Sequence, residues 1–235
     1  MTKSRLKIDL HTHTHFSGDS TTTIEEFITA FNASGLDAVA VTDHLVIDGA
    51  LSLRGILGDR VIIGQEFRVR EGELIGLYLQ EKIPPLLNAA EAARRIRAQG
   101  GLVYVPHPGD TRRTSVSLSM VDKLASEMVI DIVEVANSKV SDPNLLEAVK
   151  SVAVLHGLGL GAGSDSHVPE SLGSSFAEVE ACSSAEELLA SLKSEPWICW
   201  NYFDPPRSFK RRIVPSVGKP DERATSQAHR RVPPP

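Results

Sequence analysis

Short, almost unbroken apolar runs alternate along this chain with stretches of helical periodicity, and that rhythm restricts the fold more than any other feature. The runs lie at Leu6–Leu10, Ala38–Thr42, Val61–Gln65, Leu74–Leu79, Leu102–Val105, Asp131–Val135 and Leu158–Ala162. Each has strand length, and continuous rather than alternating apolarity marks strands covered on both faces. Helical patterns occupy Thr23–Ser34, Asn88–Gln99, Ser117–Glu127, Asp142–His156 and Ser184–Ser194, with a weaker one at Leu51–Leu57. Their ends carry punctuation: Thr23 with Glu26 spaced as a capping box, Asp142-Pro143 as an N-terminal start, and Gly100-Gly101 as a C-terminal stop. Strand–helix alternation predicts an α/β fold with a mostly parallel sheet. Seven strands and about as many helices suggest a closed or nearly closed barrel, with an open doubly wound sheet as the alternative. The polar connection Glu66–Glu73 is short enough for an antiparallel hairpin.

Composition removes several function classes. With a formal net charge of −5 over 235 residues, the chain is no general polyanion binder, so a phosphate-bearing substrate would need local positive charge from metals or a few arginines. Two cysteines, Cys182 and Cys199, make no disulfide framework and read as reduced structural thiols of a cytoplasmic protein. The opening MTKSRLKIDL is unlike a signal peptide, and no apolar run is long enough to span a bilayer. Residues 1–210 read as one barrel domain; residues 211–235, basic and Pro-rich, read as a disordered tail, more a solvated end than a nucleic-acid contact. Aromatic residues are only 5% of the chain, which favours a small substrate over a base-stacking nucleic-acid channel.

The chemistry gathers at strand ends. The first strand runs IDLHTHTH, so His11 and His13, two apart, project from one face. The second ends in VTDH with Asp43 and His44, the third in GQE with Glu66, and the fifth in VPHP with His107; the seventh is followed by GSDSH with Asp165 and His167. Singly, such residues are commonplace as surface groups or helix caps. Jointly they are not, because five of eight histidines follow four strands whose C-terminal ends converge in a barrel. Imidazole and carboxylate without thiolate suit Zn, Mn or Fe, and the inventory exceeds the four ligands of one ion, fitting two or three with Glu66 or Asp165 as a bridge. Arg112 and Arg113, in PHPGDTRR, offer a bidentate clamp for a substrate phosphate or are solvated loop arginines. Glu134 and Asn137, ending the sixth strand, are left as ligand-orienting groups, substrate contacts or turn caps.

The ordered series HTH, SGD, TDH, GQE, PHP and SDSH, from about Ile8 to Val168, resembles the polymerase and histidinol phosphatase (PHP) superfamily. The resemblance implies a distorted (β/α)7 TIM-like barrel and a trinuclear centre that hydrolyses phosphoesters. By that resemblance His11, His13, Glu66 and Asp165 hold one metal, Glu66 and His107 a second, and Asp19, His44 and His167 a third. Many members carry a histidine where GELIGLYL here has Glu73. Glu73 is expected to ligate the second metal, the alternative being a weakly held ion and an effectively dinuclear site. Asp43 is expected to orient a neighbouring imidazole or to protonate the leaving oxygen, while a water shared by two metals attacks phosphorus as hydroxide. The implied substrate is a small phosphorylated metabolite or nucleotide; alternatives are a 5′–3′ exonuclease on short RNA or DNA and a non-catalytic metal-binding regulatory domain.

Overall fold

The computed structural model describes residues 5–206. The expected tail at 211–235, and with it the proposed domain boundary, lies outside the described residues. Along the chain run β1 (Arg5–Thr12), α1 (Ile24–Ser34), β2 (Ala38–Val41), α2 (Asp48–Leu57), β3 (Val61–Val69), β4 (Gly72–Leu77), α3 (Ala89–Arg97), β5 (Leu102–Val105), α4 (Leu118–Ser126), β6 (Ile132–Asn137), α5 (Pro143–Leu155), β7 (Gly159–Gly163), β8 (Phe176–Glu180), α6 (Ala185–Lys193) and β9 (Trp197–Cys199). The helix boundaries follow the caps. The Thr23 hydroxyl accepts from Glu26 N at 3.2 Å while Glu26 Oε2 accepts from Thr23 N at 2.9 Å. Asn88 and Asp142 cap α3 and α5 through their carbonyl and carboxylate oxygens.

The strands form one sheet in the order β7-β6-β5-β4-β3-β2-β1-β8-β9. It curls until its two ends meet. Along Arg5–Ile8, β1 pairs antiparallel with β8; beyond that point its free edge is taken by the chain leaving β7. There Asp165 N donates to His11 O at 2.7 Å and His13 N to Ser166 O at 3.0 Å. Seven strands thus make a nearly closed barrel, and β8 and β9 are appended to it. The open doubly wound alternative is excluded by this closure.

Three expectations change. Strand β3 does not stop at Gln65 but runs to Val69, because its far half pairs antiparallel with β4 from Gly64↔Leu77 to Val69↔Gly72. Glu66 therefore sits within a strand rather than after one. The connection is a hairpin, as its length suggested, and β4 is antiparallel to β5 as well. Strands β8 and β9, short and only partly apolar, add to the seven expected.

Alternate residues divide the core. Val103, Val105, Val133 and Val135 face α3, α4 and α5, while Leu102, Tyr104, Ile132 and Ala136 pack on the opposite face with Ile62, Ile75 and Leu77. A third cluster, with Phe27, Phe31 and Leu53, seats α1 and α2 on Val39, Val41 and Val61. No helix among the described residues is long and apolar enough to cross a membrane.

Candidate metal centre

The barrel closure brings distant polar side chains together. Asp9, fully buried in β1, accepts from Ser164 N, Gly173 N and His11 N at 2.9, 3.0 and 3.2 Å and so pins β1 to the segment after β7. Burial pushes its carboxyl up to about 6, against those hydrogen bonds. Between β1 and β2 the register slips from Asp9↔Val39 to Thr12↔Val41, a bulge that re-aims the side chains beyond it.

His11, within this bulge, and His13, just past it, point at one spot. Their Nε2 atoms are 3.1 Å apart, and Glu66 Oε2 lies 3.2 Å from the first and 3.3 Å from the second. Asp165 Oδ1 is 3.7 and 3.5 Å from the same two nitrogens. Ligands at 2.0–2.2 Å from a tetrahedral ion stand about 3.4 Å from one another. His11, His13 and Glu66 come near that spacing and can share an ion, with Asp165 standing slightly farther from the two imidazoles.

Two further nests share members with the first. Glu66 Oε1 lies 3.1 Å from His107 Nε2, and Glu73 completes a group with them. His107 Nδ1 is buried without a hydrogen-bond partner, an atom whose burial a cation or a bound ligand would relieve. On the other side His167 Nε2 is 3.2 Å and His44 Nε2 3.6 Å from Asp19 Oδ2, and His13, His44 and His167 can share an ion. All nine residues expected to ligate metal therefore lie in one contiguous site, and its imidazole and carboxylate donors suit metal ions. Two of them are strained: His107 and Asp165 have φ of 31° and 52°, uncommon for residues other than glycine and typical of functional sites.

Electrostatics keep Glu66 and Asp165 charged. Burial alone would raise Glu66, but His11, His44 and His107 hold it well below the ordinary carboxylate range. Asp165 is likewise lowered against its burial, by Lys139, His11 and Arg113. His44 would fall on burial, yet Glu66 and Asp19 raise it to about 9; His167, buried near His13 and Lys139, drops to about 3 and stays neutral. Glu73 is raised by burial and by Glu66, with Arg68 Nε opposing from 3.3 Å across the β3–β4 pair.

Several placements depart from the sequence reading. Asp43 touches no imidazole through a hydrogen bond. Its oxygens accept from Thr14 N and Thr14 Oγ at 2.6 and 2.7 Å, it is buried, and the cavity wall does not include it. Arg112 and Arg113 do line the cavity, but both are engaged: Arg112 forks onto Asp110 at 3.0 Å to each oxygen, and Arg113 bridges Asp110 and Asp165. Sequence reasoning missed Lys139 altogether. Its Nζ lies 3.0 Å from Asp165 Oδ1 and 2.7 Å from His167 Nδ1, and a single lysine after a strand carries no signal in sequence. It missed Ser17 as well, whose hydroxyl joins His13 Nδ1 to His44 N, each at 2.9 Å.

Glu134 proves to be the hub beneath the site. Its carboxylate accepts from His11 Nδ1 at 3.0 Å, Tyr104 Oη at 2.9 Å, His107 N at 2.6 Å and Asn137 Nδ2 at 2.9 Å. The bond to Nδ1 leaves His11 Nε2 free to ligate. Burial and Glu134 push the Tyr104 phenol well above its usual range, so it remains a donor. Glu134→Gln puts an amide NH₂ where only donors approach, and should weaken metal binding about 10- to 100-fold with the fold retained. Metal competition with a chromogenic chelator, alongside circular dichroism, measures it; unchanged affinity would deny the hub its role.

Comparisons with known proteins agree with this architecture. The PHP domain family model matches residues 9–94, and the PHP-associated model matches residues 143–195. An uncharacterized protein of Methanocaldococcus jannaschii is 37% identical over 116 residues, covering 44% of this chain and 68% of that one. A protein of Shewanella pealeana named "Probable phosphatase" is 29% identical over 206 residues, covering 71% and 79%. Among solved structures, a two-domain protein of Bacteroides vulgatus containing a predicted PHP-like metal-dependent phosphoesterase superposes with a TM-score of 0.67 at 21% identity. That alignment covers 85% of this chain and 66% of the Bacteroides protein. The chain belongs to the PHP domain family.

Proposed function

We propose that the chain hydrolyses a phosphoester of a small metabolite or nucleotide with the help of two or three divalent ions, Zn, Mn or Fe. One observation carries this reading: nine imidazole and carboxylate groups converge on one site, and seven of them line a cavity that Arg112, Arg113 and Lys139 also line. The name of the Shewanella relative points the same way.

His11, His13, Glu66 and Asp165 would hold one ion, Glu66, Glu73 and His107 a second, and Asp19, His44 and His167 a third. Bound there, the cations would lower the pKa of a water and neutralise phosphoryl oxygens as negative charge collects on them. Glu66 links the nests, having an oxygen in each of the first two. Glu134 holds His11 and the backbone of His107 in register. Arg113 and Lys139 balance the charge of Asp165 and present cationic groups to a phosphate entering the cavity. Asp43, with its carboxylate on Thr14, positions the turn after β1 and transfers no proton.

The test is metal analysis of protein purified without chelator, joined to turnover of p-nitrophenyl phosphate, bis-p-nitrophenyl phosphate and a panel of nucleotides. Bound metal with no turnover of any phosphoester would sink the enzymatic reading. Two results sharpen it. Arg113→Ala should raise KM or lower kcat at least about tenfold, whereas Arg112→Ala, which removes a more exposed guanidinium, should do less. Metal uptake should also release protons, since His44 is held at about 9 and so is charged at neutral pH, and the surrounding carboxylates shift His11 in the same direction. Apparent affinity should fall about tenfold per pH unit per proton from pH 8 to 6. By the same shift, the metal-free protein keeps the His44 contribution to stability below pH 6.5 and loses it as pH rises through about 9. Titration calorimetry in buffers of different ionisation enthalpy detects the released protons.

A further inference from the structure

Among the described residues several large apolar side chains stay in water on outer helices, as Leu51 and Ile56 do on α2 and Val154 and Leu155 on α5. Leu45 and Leu86 differ from these. They are 49 and 67% exposed, and both line the cavity that the metal nests open into. Apolar side chains left to water in a cavity wall, rather than on an outer face, mark a surface that a ligand covers.

Both leucines are fixed in place by β3. Leu45 N donates to Glu66 O at 3.0 Å, Leu86 N to Arg68 O at 2.7 Å, and Arg70 N to Leu87 O at 2.9 Å. Carbonyls two residues apart on a strand face the same edge, so the two leucines hang side by side from β3, their anchor points about 7 Å apart. Both also have left-handed backbone, with φ of 66° and 64°. Leu86 follows Pro85 in a turn, at a place where glycine or asparagine is the ordinary residue. Met128, the other strongly exposed apolar residue of this conformation among those described, closes the end of α4, where a left-handed residue is common. Leucine at positions 45 and 86 costs strain and hydration and, being exposed, gains little core packing in return. Phe67 and Pro85 continue the apolar wall. That wall begins at the metal centre itself, since Leu45 follows His44 and Phe67 follows Glu66.

We propose that Leu45 and Leu86 form an apolar subsite for the organic group of the phosphoester, so that the substrates are monoesters of alcohols with an alkyl or aryl body rather than of polyols. The inference rests on the phosphoesterase reading and narrows it. A substrate whose phosphoryl group lies beside His44 and Glu66 lays the group on its ester oxygen along the rim of β3. An alkyl or aryl group there covers the leucines and releases the water over them. The hydroxyls of a sugar or polyol would lose water against the same side chains without gaining a hydrogen bond from them. The cavity, about 910 Å³, has room for such a group beside the phosphoryl moiety.

Unbranched alkylphosphonates from methyl to hexyl, which cannot be hydrolysed, test this by isothermal titration of the manganese-loaded full chain. Kd should tighten about two- to fourfold with each methylene. Leu45→Asn combined with Leu86→Asn should flatten that dependence to less than about 1.5-fold per methylene, whereas Leu45→Met combined with Leu86→Met, which keeps an apolar body, should preserve it. Asparagine accepts left-handed backbone more readily than leucine, so the double asparagine variant should melt no lower than the parent. A flat series in the parent, no binding of any phosphonate, or a dependence that survives both asparagines overturns the subsite. Turnover of p-nitrophenyl phosphate by the metal-loaded protein reports separately on the phosphoesterase reading. Turnover with a flat series sinks the subsite alone, and a steep series without turnover sinks the enzymatic reading alone.

Discussion

Glu66→Gln should lower kcat by at least about 10³-fold and remove more than one equivalent of bound metal. Glu66 reaches two nests with different oxygens: Oε2 is 3.2 and 3.3 Å from His11 and His13, and Oε1 is 3.1 Å from His107. Oε2 is also 3.4 Å from His44 Nδ1. Held well below the ordinary carboxylate range by those histidines, it is ionised at any working pH. Glutamine keeps the volume but loses the charge, and replaces one acceptor by an NH₂ group that cannot ligate. Metal-centred stabilisation of phosphoryl charge amounts to several kcal/mol, and about 4 kcal/mol corresponds to 10³-fold. The fold should survive, because the substitution removes no apolar contact. Metal content by plasma mass spectrometry, kcat on p-nitrophenyl phosphate and a circular dichroism melt separate these effects. A folded variant with full metal content and kcat within tenfold of the parent would show that Glu66 does not link the ions.

The same residue shows what the sequence can and cannot reveal. Glu66 is legible because GQE closes an apolar run, yet that run misplaces it: β3 continues through Phe67-Arg68-Val69, whose partners lie across a hairpin. Apolar continuity detects strands buried on both faces, and it dims where one face turns polar. For that reason β8 and β9 escape notice while β1, β2, β5, β6 and β7 do not. Capping residues act locally, so Thr23, Asn88 and Asp142 mark their helices within a residue or two. Strand-end histidines are legible because a barrel's closure turns sequence order into spatial convergence. Lys139, Ser17 and the hub role of Glu134 are not legible, since each depends on which atom of another strand lies opposite. Asp43 illustrates the reverse error. Its motif suggests a partner for an imidazole, but its carboxylate is taken by the backbone N and the hydroxyl of Thr14.

Gly163→Ala should destabilise the protein and cripple the site together, although it adds one methyl group outside the ligand set. Gly163 ends β7 where that strand closes against β1. A Cβ at this position would stand 2.4 Å from His11 Cβ, 2.8 Å from Glu134 Oε1 and 2.9 Å from His11 N. None of these atoms is the free end of a flexible side chain. One belongs to the β1 backbone, one to the root of a candidate ligand, and one to a carboxylate fixed by four donors. Relief therefore needs either β1 and β7 to part, which breaks the bond from Asp165 N to His11 O, or Glu134 to swing away from His11 Nδ1. Overpacking of this kind costs about 1–3 kcal/mol, and at this chain length about 2–4 °C of Tm accompanies each kcal/mol. Because a displacement of about 1 Å at a reacting centre can cost 10²-fold, kcat should fall by at least that factor. Gly55→Ala supplies the control. Gly55 lies in α2, would have nothing within 4 Å of an added methyl and needs no left-handed backbone, so alanine there should raise stability by about 0.5–1 kcal/mol. Paired melts and kcat measurements decide the matter: if Gly163→Ala melts like the parent and turns over at a similar rate, β1 and β7 do not close the barrel through His11 as described.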